Sequence, residues 1–115
     1  MSWENAELTK IALNAYITMK ITFANKLAEI CEKLEGGNVD AVTQAIGLDS
    51  RIGGKYLKGG LGYGGPCFPR DNRAFARAAS RLGVEAPLAL MVDRVNRRQV
   101  ERVLKIVETL PGKKP

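Results

Sequence analysis

The chain has 115 residues, enough for one small domain with a core of its own. Hydrophobic residues make up 45%, which argues against disorder, and no apolar run is long enough to span a membrane. The formal net charge of +6 admits anionic partners such as nucleotides, phosphorylated sugars or nucleic acid, while two cysteines with no histidine make a poor zinc site, so no metal is expected.

Trp3, Glu4 and Asn5 lead directly into an amphipathic pattern, with no signal peptide ahead of it. Free thiols then point to a cytoplasmic chain. Residues 5–35 read as one long helix. Leu8, Ile11, Ala12, Ala15, Met19, Phe23, Leu27, Ile30 and Leu34 recur at steps of three and four, and Gly36 and Gly37 end the pattern. A second face carries Lys10, Asn14, Ile17, Thr18, Ile21 and Asn25. Apolar residues opposite the main stripe predict burial on two sides, as in a central helix. Lys10 and Asn14 lie one turn apart on that second face. A lysine and an amide there need partners, either a ligand or another chain; a snorkelling lysine and a satisfied amide are the plainer alternative.

A short helix is predicted over 38–46, capped by Asn38 and stopped by Gly47. Residues 48–69 show no sustained period, and a loop of that length in a small domain is usually functional. It carries Arg51, Lys55, Tyr56, Lys58 and Tyr63, cations and aromatics that suit a phosphate or nucleotide. The segment from Gly59 to Asp71 holds five of the twelve glycines and two of the five prolines. Such a density breaks regular structure and lets backbone approach a ligand. Asp71 precedes a helical pattern (Ala74, Phe75, Ala78, Ala79, Leu82) and is expected to cap a helix over 72–81. Cys67 would then sit just before a helix N-terminus, whose partial positive charge, with Arg70 nearby, favours thiolate. Glycine loop, thiol and helix start together describe a nucleophile beside an anion-binding loop. The competing readings are a flexible connector and a buried apolar cysteine. The formal G-x-G-x-x-G from Gly60 to Gly65 has no preceding strand and no βαβ unit around it, so it is not read as a dinucleotide fingerprint.

Pro87 opens a fourth helix that runs to about Leu110 through Leu88, Met91, Val92, Val95, Val103, Ile106 and Val107. Arg94, Arg97, Arg98, Glu101, Arg102 and Lys105 form its exposed face. No strand is convincing. The expected fold is all-α, a small bundle built on one long central helix with a long glycine-rich loop and a long C-terminal helix. A homodimer through the long helix follows from its two apolar faces.

Three blocks resemble the central, dimerisation domain of the UDP-glucose/GDP-mannose dehydrogenase family. They are Asn5-Ala-Glu-Leu-Thr-Lys10 with Asn14 and Asn25, then Asp49-Ser-Arg51-Ile-Gly53, then Gly62-Tyr-Gly-Gly-Pro-Cys67-Phe-Pro-Arg-Asp71. The resemblance runs from about Asn5 to Glu108, which makes residues 1–115 a single central domain, without the family's N-terminal NAD domain and C-terminal nucleotide-sugar domain. It implies NAD-dependent, four-electron oxidation of a nucleotide sugar, UDP-glucose first, with GDP-mannose and UDP-N-acetyl sugars behind it. Cys67 matches the nucleophile that carries thiohemiacetal and thioester intermediates. Lys10 and Asn14 match the groups that stabilise oxyanion charge, and Asp71 the acid tied to water activation and proton movement. Arg51 matches an arginine reaching a neighbouring subunit's substrate. Tyr56, Lys58, Gly62, Tyr63, Gly64 and Gly65 match positions lining the sugar-nucleotide site. Lys26, Arg70 and Pro66 depart from common family residues without removing a matched catalytic position. The resemblance also implies a homodimer, a nucleotide-sugar substrate, no nucleic-acid or membrane partner, and no activity for this stretch alone. A non-catalytic helical dimerisation domain and a basic nucleic-acid binder are the alternatives; the latter lacks a recognisable binding motif.

Overall fold

The computed structural model describes residues 2–58 and 67–110. Among these residues four helices follow one another: α1 (Trp3–Lys33), α2 (Val39–Gly47), α3 (Cys67–Arg81) and α4 (Pro87–Thr109). The expected all-α class holds, with no strand among the described residues. Ser2 caps α1 by accepting the Asn5 N–H at 3.2 Å. Asn38 caps α2, its side-chain oxygen accepting from the N–H groups of Asp40 and Ala41. Pro87 opens α4 at a position where no N–H is needed. Gly37 and Gly83 are among the glycines that geometry requires. A Cβ at Gly37 would run into the Cys31 carbonyl, and Gly83 takes φ +77° where α3 ends.

The expected start of α3 is wrong by five residues. The helix begins at Cys67, and Asp71 lies in its second turn instead of capping it. Pro69 is the reason. It occupies the first turn, where backbone N–H groups have no helical partner, so it opens the helix and does not block it.

The long first helix is central, as expected: α1 packs against α2, α3 and α4, and α3 also packs on α4. Of the main predicted stripe only Ala15 is fully buried, while the second face is covered at Thr18 and Asn25. Leu8, Phe23, Ile30 and Leu34 are exposed, as is Tyr16 beside them. Within the chain α1 buries Ala15, Thr18, Thr22, Ala24, Asn25 and Cys31. The interior is small and polar. Among the described residues its apolar members are Ala15, Ala24, Cys31, Leu57, Ala89 and Val92; Thr43, Asp71, Asn72, Asn96 and Gln99 are buried beside them. On α4, too, Leu88, Met91, Ile106, Val107 and Leu110 of the predicted apolar side are exposed, while Asn96 and Gln99 are buried. Arg102, expected on the exposed face, is half-buried and pairs with Glu32, fastening the C-terminal half of α4 to the end of α1.

Candidate functional site

The site is built where α1 meets the beginning of α3. Asn14 Nδ2 donates to Asp71 Oδ2 at 2.6 Å, joining two residues 57 apart in the chain. Asp71 is buried and Asn14 half-buried, so the contact is largely shielded from water. Arg70 Nε lies 3.5 Å from the other carboxylate oxygen of Asp71, from an exposed side chain. Lys10 is exposed one turn before Asn14 on α1. Cys67 is the first residue of α3, one turn before Asp71; its side chain lies outside the described residues. The N-terminal end of α3, whose first N–H groups have no partner within the helix, therefore stands next to the Asn14–Asp71 contact.

Below Asp71 the next residue is also held. Asn72 Nδ2 donates to the Ala89 carbonyl at 3.3 Å and to Asp93 Oδ1 at 2.9 Å, both on α4. Its Oδ1 lies 3.4 Å from the Thr18 hydroxyl, which gives its shorter bond, 2.7 Å, to the Ala15 carbonyl.

Arg51 belongs to a separate cluster. Its Nε and a terminal NH₂ group reach both carboxylate oxygens of Asp49 at 3.0 and 2.7 Å, and its own N–H donates to Asp49 Oδ1. This fork-shaped pair holds the Asp49 carboxyl below its ordinary 3.8, the side-chain hydrogen bond from Arg51 being the largest cause, and raises Arg51 correspondingly. The guanidinium is exposed and is engaged by Asp49, not by the Asn14–Asp71 pair. Lys20 Nζ donates to the Ile52 carbonyl at 3.2 Å, which ties this turn to α1. Tyr56 holds φ +62°, a conformation that costs a bulky residue about 1–2 kcal/mol. Leu57 behind it is buried and anchors the turn, and Lys58 is exposed. Gly62, Tyr63, Gly64 and Gly65 lie outside the described residues.

The expected site residues thus fall into two groups. Lys10, Asn14 and Asp71 share one end of the α1–α3 seam, and Arg51, Tyr56 and Lys58 share the segment after α2. Lys20 and Asn72 were missed. Nothing in the sequence marks Lys20. Asn72 had a signal, an amide inside a helical pattern directly after the motif acid. An apolar groove of about 440 Å³ borders the segment after α2, lined by Met19, Phe23, Ile46, Leu57, Leu88 and Val92 among others. Among the described residues, no three His, Cys, Asp or Glu side chains converge to hold a metal, and no helix is long and apolar enough to cross a membrane.

Known proteins share both sequence and fold. A UDP-glucose 6-dehydrogenase of Bacillus subtilis is 40% identical over 114 residues, which is 96% of this chain and 24% of the relative. A UDP-glucose 6-dehydrogenase of Haloferax volcanii is 46% identical over 102 residues, 89% of this chain and 24% of the relative. The structure of a UDP-glucose dehydrogenase from Pyrobaculum islandicum superposes with a TM-score of 0.86 at 40% identity, covering 94% of this chain and 25% of that one. The chain therefore spans about a quarter of the length of these relatives. Residues 4–98 match the model for the central domain of the UDP-glucose/GDP-mannose dehydrogenase family, and the chain belongs to that family.

Proposed function

We propose that this chain is the catalytic and dimer-forming middle of a nucleotide-sugar 6-dehydrogenase that oxidises UDP-glucose to the uronic acid with NAD. The observation that carries the reading is the 2.6 Å contact between Asn14 and Asp71. It unites two of the three resemblance blocks beside the helix that Cys67 begins. Cys67 is the nucleophile in this scheme. The α3 N-terminus favours its thiolate, which adds to the C6 aldehyde-level carbon of the sugar and gives a thiohemiacetal. Lys10 and Asn14 offer an ammonium and an amide to the oxyanion formed there. Loss of a hydride from the thiohemiacetal, for which NAD would be the acceptor, would give the thioester, and Asp71 takes and returns protons at the water that then releases the acid. Arg51, Tyr56, Lys58, Tyr63 and the glycines Gly62, Gly64 and Gly65 would line the sugar nucleotide, with Arg51 serving the neighbouring subunit's site.

The described residues do not fit NAD as a resident cofactor. They contain no strand, hence no βαβ cradle for a dinucleotide. In this reading NAD is held by residues other than those described. The exposed apolar stripe of α1 and the adjoining groove support the dimer: Phe23, Ile30 and Leu34 are too many large apolar side chains on one helix face to be left in water. A reducing, cytoplasmic setting suits Cys67 as a working thiol.

The test uses the multidomain protein that contains this chain. Wild type should reduce NAD with UDP-glucose, Cys67→Ala should abolish turnover, and Cys67 should alkylate faster than the buried Cys31. Full turnover by Cys67→Ala, or no NAD reduction with any nucleotide sugar, would refute the reading. The 115-residue chain alone should be inactive.

A further inference from the structure

We propose that Asn72 is a positioning residue for the site: its side-chain amide clasps α3 to α1 and α4, and so holds Asp71 against Asn14. The functional part of this inference rests on the role given to Asp71 above; the clasp itself does not.

Asn72 is one of the most deeply buried side chains, at 1% exposure. A buried amide is expensive unless its donors and acceptor are met. Here they are met from two different helices. The NH₂ group binds the Ala89 carbonyl and the Asp93 carboxylate of α4, and the carbonyl oxygen faces the Thr18 hydroxyl of α1. Asp71 and Asn72 are successive residues, so they leave α3 about 100° apart. The first meets Asn14 and the second enters the seam beside Thr18, and Asn14 and Thr18 are themselves one turn apart on α1. The two contacts form adjacent rungs between the same pair of helices. Rotating or sliding α3 enough to free Asp71 from Asn14 would also break the bonds of Asn72.

An apolar side chain of equal size would fill the same volume without fixing direction. Dispersion contacts tolerate small rotations, whereas hydrogen bonds weaken steeply with angle. Around this position the interior supplies little else to set the register of α3, since the nearby buried residues of α1 and α4 are the small Ala15, Thr18 and Ala89. The clasp also explains why an amide occupies a place that helical packing would give to leucine.

The experiment follows the side-chain amide signal of Asn14 in the 115-residue chain by ¹H–¹⁵N NMR, assigned by its loss in Asn14→Ala. In wild type its hydrogen exchange should be at least tenfold slower than that of an exposed amide. Asn72→Leu should keep the helical circular dichroism but shift the Asn14 signal and remove its protection. Asp93→Ala removes the shorter of the clasp's two bonds to α4 and leaves the Ala89 carbonyl in place, and should act in the same direction, more weakly, even if Asn72→Leu does not fold. An Asn14 signal unchanged in a folded Asn72→Leu, or in Asp93→Ala, overturns the clasp. In the multidomain enzyme, Asn72→Leu should lower kcat at least tenfold with KM kept within about twofold, and unchanged kcat overturns the positioning role. A wild type without turnover would strike the catalytic reading alone, because the amide signal still decides the clasp.

Discussion

Removing the Asn14–Asp71 contact by a double-mutant cycle tests the geometry on which the site stands. The variants are Asn14→Ala, Asp71→Ala and the pair. The bond is short, 2.6 Å, and its acceptor is a buried carboxylate. A hydrogen bond to a charged group contributes about 1.5–3 kcal/mol, and the lower end applies because Asn14 is only half-buried. Asn14→Ala should cost most, about 2–3 kcal/mol, since it leaves the Asp71 carboxyl buried without that donor. The exposed Arg70 at 3.5 Å compensates little. Asp71→Ala should cost about 1–2 kcal/mol, because the freed Asn14 amide can turn to water. The double variant should then be no less stable than Asn14→Ala alone, a coupling of about 1.5 kcal/mol. Urea denaturation followed by far-UV circular dichroism reads these differences, and in a domain of this size each kcal/mol moves Tm by about 4–8 °C. Additivity within about 0.5 kcal/mol would mean that the two side chains do not interact, and the site as described would not exist.

Three further outcomes are expected. The Arg102 hydrogen bond holds the Glu32 carboxyl below its ordinary 4.5, so the pair stabilises the fold above that value and the gain disappears as pH falls toward the lowered folded value. Glu32 is more than half exposed, which limits the effect to about 0.5 kcal/mol; Glu32→Gln should lower the urea midpoint at pH 7 and leave it unchanged near pH 3. Tyr56→Gly relieves the φ of +62° and, after the entropy that glycine adds to the unfolded chain, should raise stability by about 0.5–1 kcal/mol. In the multidomain enzyme the same change should weaken nucleotide-sugar binding, and a rise in both stability and affinity would remove Tyr56 from the site. Phe23→Glu places a charge on the exposed stripe of α1 and should convert a dimer seen by light scattering into a folded monomer; a dimer that persists would locate the interface elsewhere.

Helix positions were legible in the sequence wherever local chemistry decides them. Asn38, Pro87 and the glycines at 36 and 83 mark ends to within two residues of those observed. Pro69 misled because a proline in a first turn and a proline that breaks a helix look alike without knowing which N–H groups need partners. The inward face of α1 was not legible. Both of its faces carry apolar residues, and the chain covers α1 at Thr18, Thr22 and Asn25 on one side and at Ala24 and Cys31 on the other. Periodicity measures the spacing of a stripe but not what covers it. Asn14 and Asp71 were assigned to one site only through family resemblance, and nothing local in a 57-residue separation indicates that they touch. Asn72 could be seen but not interpreted, because a buried amide has meaning only with its partners on the other two helices.

The small, polar interior has a thermal consequence. The heat-capacity increment of unfolding comes mainly from hydrating apolar surface, and polar groups subtract from it. A core of alanine, threonine, asparagine and glutamine exposes little new hydrocarbon when it melts, because Phe23, Ile30, Leu34 and Leu88 are already in contact with solvent. The isolated chain should therefore fall below the usual increment of about 12–15 cal/mol/K per residue and have a correspondingly flat stability curve. The missing heat capacity would reappear in whatever association covers those side chains, so calorimetry would register the large negative change on assembly and not on folding.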